Sequence, residues 1–396
     1  MFEEGQYFAP VTADEDGSLK VHLGADHPGF ADPAYRARRD ALATLASGWV
    51  PGTPAPYADY TPEEHEVWRV VSEALVTKHR AYACREFLDG KESLGLPIDH
   101  VPQLAEVSAW LQPLTGYRYQ PAAGLVPLRE FYGSLADRAF WSTQYVRHHS
   151  VPLYTPEPDV LHEVVGHGNT LANPRFTALY ELAGQASRRV ESAEALEFVS
   201  KVFWFTLEFG VLWEGGDLKA YGAGILSSPG EIEAFRGMTI RPLDIGEMGS
   251  QVYDITDYQD VLYVADSFSQ LEDVVGTFWA ECTDDSIARI AARHPAHSGP
   301  SPSYLTNLLS SSRSDDRFVR CDAGRGRGLW MTRPRVAGSD EAPGHAHAPD
   351  HPHRPGRARP DRPPRTHRPD ARPGPRAALA QPRAALLHPR RRAAHH

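Results

Sequence analysis

The sequence predicts a mainly α-helical single domain with a few short strands, followed by a tail without regular structure. Three observations lead there. First, helix-start signals recur: Asp32-Pro33, Thr61-Pro62-Glu63-Glu64 and Asn173-Pro174 each set a capping side chain before a proline in the first helical turn. Second, the run VSKVFWFTLEFGVLW at 199–213 is apolar on nearly every side, as a buried helix requires. Third, the composition changes after Arg293. HPAHSGPSPS is a turn-rich linker, and beyond Asp322 the chain is mostly Arg, Pro, Ala, His and Gly. Such a segment buries too little apolar surface to offset its ordering entropy, so disorder is expected there.

Taken in order, residues 1–24 form a short N-terminal arm, 25–292 the folded body and 293–396 the low-complexity tail. Within the body, helices are expected over 33–47, from 62 to near Gly90, over 103–111 and over 126–138. Further helices are expected over 156–165, 174–189 and 194–213, and extended pieces at 117–121, 218–221 and 251–255. Ser228-Pro229-Gly230-Glu231 reads as one more capping box. No internal repeat is present, and a body of this length can bury one substantial core.

The stretch YTPEPDVLHEVVGHGNTLANPRF at 154–176 carries the chemistry. His162 and His167 stand five residues apart with Glu163 beside the first. Neutral imidazole suits iron, zinc, copper and nickel. On a regular helix, residues five apart are rotated by roughly 140°, so the spacing predicts that the helix ends between them, at Gly166. The same spacing separates HEVVGH from the zinc-peptidase signature HExxH, whose histidines are four apart. A peptidase with Glu163 as general base is the remote alternative. Glu208 lies inside the apolar run at 199–213, where an ionised carboxylate is costly unless paired or bound to metal. Two histidines and one carboxylate make the facial donor set of non-haem iron(II) oxygenases. Each residue singly also has an ordinary structural role, as a hydrogen-bonded core histidine or a glutamate held by an arginine.

At this point the chain resembles the pterin-dependent aromatic amino acid hydroxylases, most closely the bacterial phenylalanine hydroxylases. The matching residues are DHPGF (26–30), YRARR (35–39), VPQL (101–104), TGYR (115–118) and FWSTQYVRH (140–148), then the histidine motif. WFTLEFG (204–210), KAYGAGILSS (219–228) and YVADSF (263–268) follow, so the resemblance covers roughly residues 20–282. It implies the aromatic amino acid hydroxylase catalytic fold over 25–292, using Fe(2+), a tetrahydropterin (tetrahydrobiopterin or a bacterial analogue) and dioxygen as co-substrate. The implied reaction is that of a phenylalanine 4-monooxygenase, L-phenylalanine to L-tyrosine, with tryptophan, tyrosine or the meta position of phenylalanine as alternatives.

Carried over by position, His162, His167 and Glu208 match the iron ligands, and Glu163 the acid that helps activate dioxygen. Phe131 matches the aromatic that stacks on the pterin, and Gly124 and Val126 its backbone contacts. Phe203 stands where the animal enzymes have a tyrosine near the pterin, and Leu128 where they have a small polar residue. Arg147 matches the guanidinium that holds the substrate carboxylate, with Thr155 nearby; its fork suits a carboxylate bidentately. Pro158, Trp204, Gly224 and Ser227 match the aromatic substrate pocket, and Tyr253 a catalytic tyrosine at its edge. Ser227 also suits a role behind a histidine ligand, or a purely structural one. Trp204 replaces a smaller aromatic of the tryptophan hydroxylases, and Ile255 an acid of the tyrosine hydroxylases, which together favour phenylalanine.

The partner is therefore expected to be a small molecule, the chain a monomer without a regulatory domain. Cys84, Cys282 and Cys321 form no C-x-x-C pair, which argues against a thiolate metal site. No cationic apolar signal peptide and no run of membrane-span length occurs, so no membrane partner and a cytoplasmic location are expected. Residues 317–396 hold 18 Arg against 6 Asp and Glu, a net +12 within a total of −10, leaving −22 for the remainder. An acidic body offers no basic field for specific nucleic-acid binding.

Overall fold

The computed structural model describes residues 9–294, except 16, 125 and 254–257. The expectations for the tail, for Cys321 and for Ile255 lie outside the described residues.

Chain entry is a short antiparallel hairpin, β1 (Val11–Ala13) and β2 (Leu19–Val21). Helix α1 (Pro33–Ser47) starts where the sequence placed it: Asp32 accepts from the Ala34 and Tyr35 amides, with Pro33 in the first turn. Helix α2 (Pro62–Tyr82) opens on the expected Thr61/Glu64 capping box. The single helix expected to reach Gly90 is instead two. The chain opens at Ala83, the Cys84 amide donates to the Ala220 carbonyl at 2.9 Å, and α3 (Arg85–Leu94) restarts. A tertiary backbone bond has overridden local propensity here. Helix α4 (Leu104–Thr115) runs beyond its expected end and carries Pro113 inside it. Strand β3 (Arg118–Pro121), helix α5 (Leu128–Leu135) and strand β4 (Ala139–Ser142) follow, with β3 and β4 parallel.

The next helical stretch has a π-helical segment, His162–Gly168, and passes directly into α6 (Asn169–Leu171). Helices α7 (Pro174–Arg189) and α8 (Ala193–Phe203) then pack beside α5. Helix α8 continues as a second π segment, Trp204–Glu208. The expected helix to Trp213 therefore ends early. Val211–Glu214 is strand β5, which turns through Gly215 (φ 60°) and Gly216 (φ 88°) into β6 (Asp217–Ala220). Two successive left-handed residues are what a two-residue hairpin turn demands. A continuous apolar run cannot by itself tell buried strand from buried helix, which is why the boundary was missed.

Helix α9 (Ala223–Ser227), the short α10 (Glu231–Ala234), strand β7 (Thr239–Pro242) and α11 (Ile245–Ser250) lead to β8 (Val261–Ala265). The four-stranded sheet has the order β6-β5-β8-β7, antiparallel only in its β5–β6 hairpin. Gln251 to Tyr253 is not a strand; the rest of that expected piece lies outside the described residues. The expected capping box at Ser228 is only half made: the Glu231 amide donates to Ser228 Oγ at 3.2 Å, but α10 begins at Glu231 behind Gly230 and the Glu231 carboxylate accepts from the Gln259 amide. Helices α12 (Phe268–Leu271), α13 (Thr277–Glu281) and α14 (Asp284–Ala291) close the body, with a π segment, Glu272–Gly276, between the first two. No helix among the described residues is long and apolar enough to cross a membrane.

A buried histidine away from the histidine motif meets a lysine and a carbonyl. His79 Nε2 lies 2.6 Å from the Leu226 carbonyl, and its Nδ1 lies 2.7 Å from Lys91 Nζ. Burial first, then the Lys91 charge, press the His79 pKa down to about 3. An unfolded histidine protonates near pH 6.5. Between those values unfolding takes up a proton, so His79 makes stability fall as pH drops from about 6.5 toward 3. His79→Leu is expected to flatten the pH dependence of the melting temperature in that window. An unchanged slope in thermal melts would refute the assignment.

Candidate active site

The π-helical turn resolves the histidine spacing. In a π segment the backbone bonds run from i to i+5, so His162 and His167 sit one turn apart on the same side. The expected helix stop at Gly166 is thus corrected: the helix widens instead of ending. Gly166 is there for close approach. A Cβ at this position would meet the Ala223 carbonyl oxygen at 2.7 Å, and α9 packs directly on this turn. The second π segment does the same service for Glu208, where the Phe209 amide closes a bond to the Trp204 carbonyl at 2.9 Å.

These turns bring three donors together. His162 Nε2 and His167 Nε2 are 3.2 Å apart. Glu208 Oε1 lies 2.9 Å from His167 Nε2, and Glu208 Oε2 lies 3.6 Å from His162 Nε2. Neighbouring ligands of an octahedral ion with bonds of about 2.1 Å stand roughly 3 Å apart, so the donor set fits one divalent metal bound on one face. The far ring nitrogens are also engaged: His162 Nδ1 lies 2.9 Å from Ser227 Oγ, and His167 Nδ1 lies 2.9 Å from the Tyr180 hydroxyl. Such partners leave Nε2 as the ligating nitrogen. Burial lowers the His162 pKa to about 4 against the pull of Glu208, so the ring is neutral and able to ligate. Burial alone would raise Glu208, but His167 and then His162 hold it below the ordinary carboxylate range.

Glu163 behaves oppositely. It is buried, and burial followed by the charges of Glu208 and Asp159 pushes its pKa well above the usual range. A carboxyl with a raised pKa beside a metal donor set is suited to giving or taking a proton. Its backbone carbonyl accepts from the Tyr119 hydroxyl at 2.7 Å.

Arg147 is buried and bidentate to Asp159. Its Nε and Nη2 donate at 2.9 and 2.8 Å, and its own amide also donates to Asp159 at 2.8 Å. Asp159 Oδ1 further accepts the His162 amide at 3.2 Å. One carboxylate thus joins the guanidinium to the first residue of the histidine turn. Nearby, the Thr155 hydroxyl donates to the Glu157 carbonyl at 2.7 Å, and the Pro158 carbonyl accepts a short bond from Tyr145.

The aromatic wall is built from Trp204, stacked on Tyr253 (4.9 Å between centroids, 24° between planes) and tilted against Phe209 at 4.5 Å. Trp204 Nε1 donates to Gln259 at 3.0 Å. A Cβ on Gly224 would meet the Phe209 ring at 2.5 Å, so glycine lets α9 approach this wall. Phe131 meets Phe140 edge-on at 5.5 Å, and Phe140 lies 4.6 Å from the His167 ring. Val126 is buried beside them, and Gly124 lies against Val11 of the entry hairpin. Phe203 is enclosed by Tyr132, Tyr180 and Trp279, so it can influence a cofactor only through those neighbours.

Sequence reasoning missed Asp159, Tyr180 and Gln259. Asp159 carries a local signal, since it accepts the His162 amide three residues on as a helix cap does, but nothing local marks the other two: Tyr180 stands 13 positions after His167, on a helix with an ordinary amphipathic pattern. Tyr180→Phe is expected to preserve the fold and weaken metal retention by about tenfold, the low end for loss of a ligand's outer partner. Metal dissociation followed with a chelator measures this, and an unchanged affinity would exclude the positioning role.

A two-histidine, one-carboxylate cluster, a buried glutamate with a raised pKa and an aromatic wall suit an oxygenase-type site in a mainly helical body. Comparison with known proteins names the class. The family model described as biopterin-dependent aromatic amino acid hydroxylase matches residues 14–288, and the chain belongs to that family. Among curated relatives, it is 52% identical over 264 residues to "Phenylalanine 3-hydroxylase" of Streptomyces coeruleorubidus, covering 67% of this chain and 95% of the relative. It is 42% identical over 269 residues to "Phenylalanine-4-hydroxylase" of Rattus norvegicus, covering 66% of this chain but 59% of the rat protein. Among solved structures, the apo cold-active phenylalanine hydroxylase of Colwellia psychrerythraea 34H superposes with a TM-score of 0.56 at 29% identity, covering 63% of this chain and 95% of that one. The Chromobacterium violaceum phenylalanine hydroxylase with bound iron(III) and 7,8-dihydrobiopterin gives 0.56 at 29% identity, covering 63% and 90%.

Proposed function

We propose that the chain is an iron(II)- and tetrahydropterin-dependent monooxygenase that hydroxylates the ring of L-phenylalanine with dioxygen, at the meta carbon. The observation carrying the reading is the convergence of His162, His167 and Glu208 within 3.6 Å of one another, in a chain of this family. The ring position is supported by the 52% identity to the Streptomyces 3-hydroxylase across nearly its whole length. Hydroxylation at the para carbon, giving tyrosine, is the second reading, supported by the 42% identity to the rat 4-hydroxylase.

In this reading His162, His167 and Glu208 hold the iron on one face and leave the other positions open. Phe131 offers a ring for the pterin, with backbone contacts at Gly124 and Val126 and an indirect influence from Phe203. When bound, iron and tetrahydropterin supply dioxygen activation and two electrons. The protein's own part is positioning and proton handling. Arg147 has spent Nε and Nη2 on Asp159, so Nη1 is the part of its fork left for the amino acid's carboxylate. Thr155 and Pro158 shape the turn beside it. Trp204, Phe209, Tyr253 and Gly224 form the apolar wall for the phenyl ring and keep water from it. Ser227 orients His162 from behind. Burial and the neighbouring carboxylates raise the Glu163 pKa, which suits it to take up and pass on a proton during oxygen chemistry.

Purified protein supplied with iron(II), tetrahydropterin and each aromatic amino acid tests this by product identification. Meta-hydroxylated phenylalanine is the expected product. Tyrosine as the sole product would select the second reading, and no hydroxylated amino acid from any of the three would overturn the proposal.

A further inference from the structure

Outside the histidine–glutamate cluster, three other potential metal donors gather where α1 begins. One ligand atom each from Asp32, His148 and His149 lies within 4.8 Å of the other two. We propose that these residues form a second, peripheral site for a divalent transition metal of the zinc class.

Asp32 and His148 are already oriented. Asp32 Oδ1 is occupied as the α1 cap, accepting from the Ala34 and Tyr35 amides at 2.8 and 3.1 Å. That leaves Oδ2 free to ligate, and it lies 3.3 Å from His148 Nε2. A tetrahedral zinc ion with bonds of about 2.0–2.1 Å sets its ligands roughly 3.3 Å apart. His148 Nδ1 lies 2.7 Å from Ser150 Oγ and accepts the Ser150 amide at 3.3 Å, contacts that fix the ring with Nε2 toward Asp32. The Tyr35 ring meets His148 edge-on at 5.0 Å and fixes its plane. His149 is the adjustable member. Its ring lies 4.3 Å from that of His148, tilted by 31°, and its side chain is 45% exposed. A rotation of this surface ring brings its nitrogen to bonding distance at little cost. Glu63 Oε1, 4.0 Å from His149 Nε2, is available as a fourth oxygen donor, or water takes that position. Two imidazoles and a carboxylate suit zinc better than calcium or magnesium, which prefer all-oxygen shells.

Zinc titration of the full-length metal-free chain by equilibrium dialysis tests the site, read as a difference between variants. The donors near Glu208 and the histidines of 295–396 contribute equally to every variant. His149→Ala is expected to lose one zinc equivalent. Asp32→Asn keeps a capping oxygen for α1 but removes the charge, and is expected to weaken the same equivalent at least about tenfold. Retention of the remaining equivalents in both variants reports that the rest of the chain is folded. Equal zinc stoichiometry and affinity in wild type and both variants would overturn the proposal.

Discussion

Glu208→Ala is expected to leave a folded chain that retains no iron and makes no hydroxylated phenylalanine. Glu208 sets one carboxylate oxygen against each of the two facing nitrogens, at 2.9 Å from His167 and 3.6 Å from His162. Its removal leaves two imidazoles and no carboxylate, too few donors to hold a ferrous ion on one face. Outer partners of metal ligands already cost 10–100-fold in affinity when lost; loss of a ligand should exceed about a hundredfold. Stability should change much less, because an ionised carboxylate in an apolar interior is costly to keep. Glu163→Ala is the discriminating comparison. Glu163 sits against the same cluster outside the ligand set, with its pKa raised by burial and by Glu208; its loss should preserve iron while abolishing most turnover. Iron content of the purified variants and product formation separate the two acids. Wild-type iron occupancy in Glu208→Ala would remove the basis of the functional reading.

The donor residues were readable in the sequence; the device that unites them was not. His162, His167 and Glu208 stood out by type and by the cost of a buried charge. Their spacing, though, contradicts a regular helix, and sequence offered only a helix stop as the remedy. Gly166 looked like that stop because glycine ends helices so often. Its actual cause is the Ala223 backbone, 57 positions later, pressing where a side chain would go. Capped helices such as α1, α2 and α7 were legible because a cap is local chemistry. The break at Ala83 was not, because it answers to the Ala220 carbonyl across the fold. Tyr180 follows the same rule: its role consists of contacts that no local pattern encodes.

The second large effect is expected at Asp159. Asp159 and Arg147 are each almost fully enclosed, with side-chain exposures of 0% and 3%. Burial alone would lower the Arg147 pKa, but Asp159 outweighs it and keeps the guanidinium charged. Asp159→Ala strands that charge without a counter-ion. Breaking one side of a buried pair costs about 3–5 kcal/mol, readable as a lowered urea midpoint. The variant also frees the His162 amide and leaves the guanidinium without its two anchoring bonds. A guanidinium displaced by an ångström holds a substrate carboxylate poorly, so the phenylalanine concentration for half-maximal rate should rise sharply. Arg147→Ala should raise that concentration too, but without the stability loss of a stranded arginine, since the remaining Asp159 keeps the backbone amides of Arg147 and His162 as donors. Parallel urea and kinetic titrations of both variants therefore distinguish a substrate anchor from a merely structural ion pair. If Asp159→Ala lost stability while substrate dependence stayed unchanged in both variants, Arg147 would be a structural residue and the amino acid's carboxylate would have to be held elsewhere.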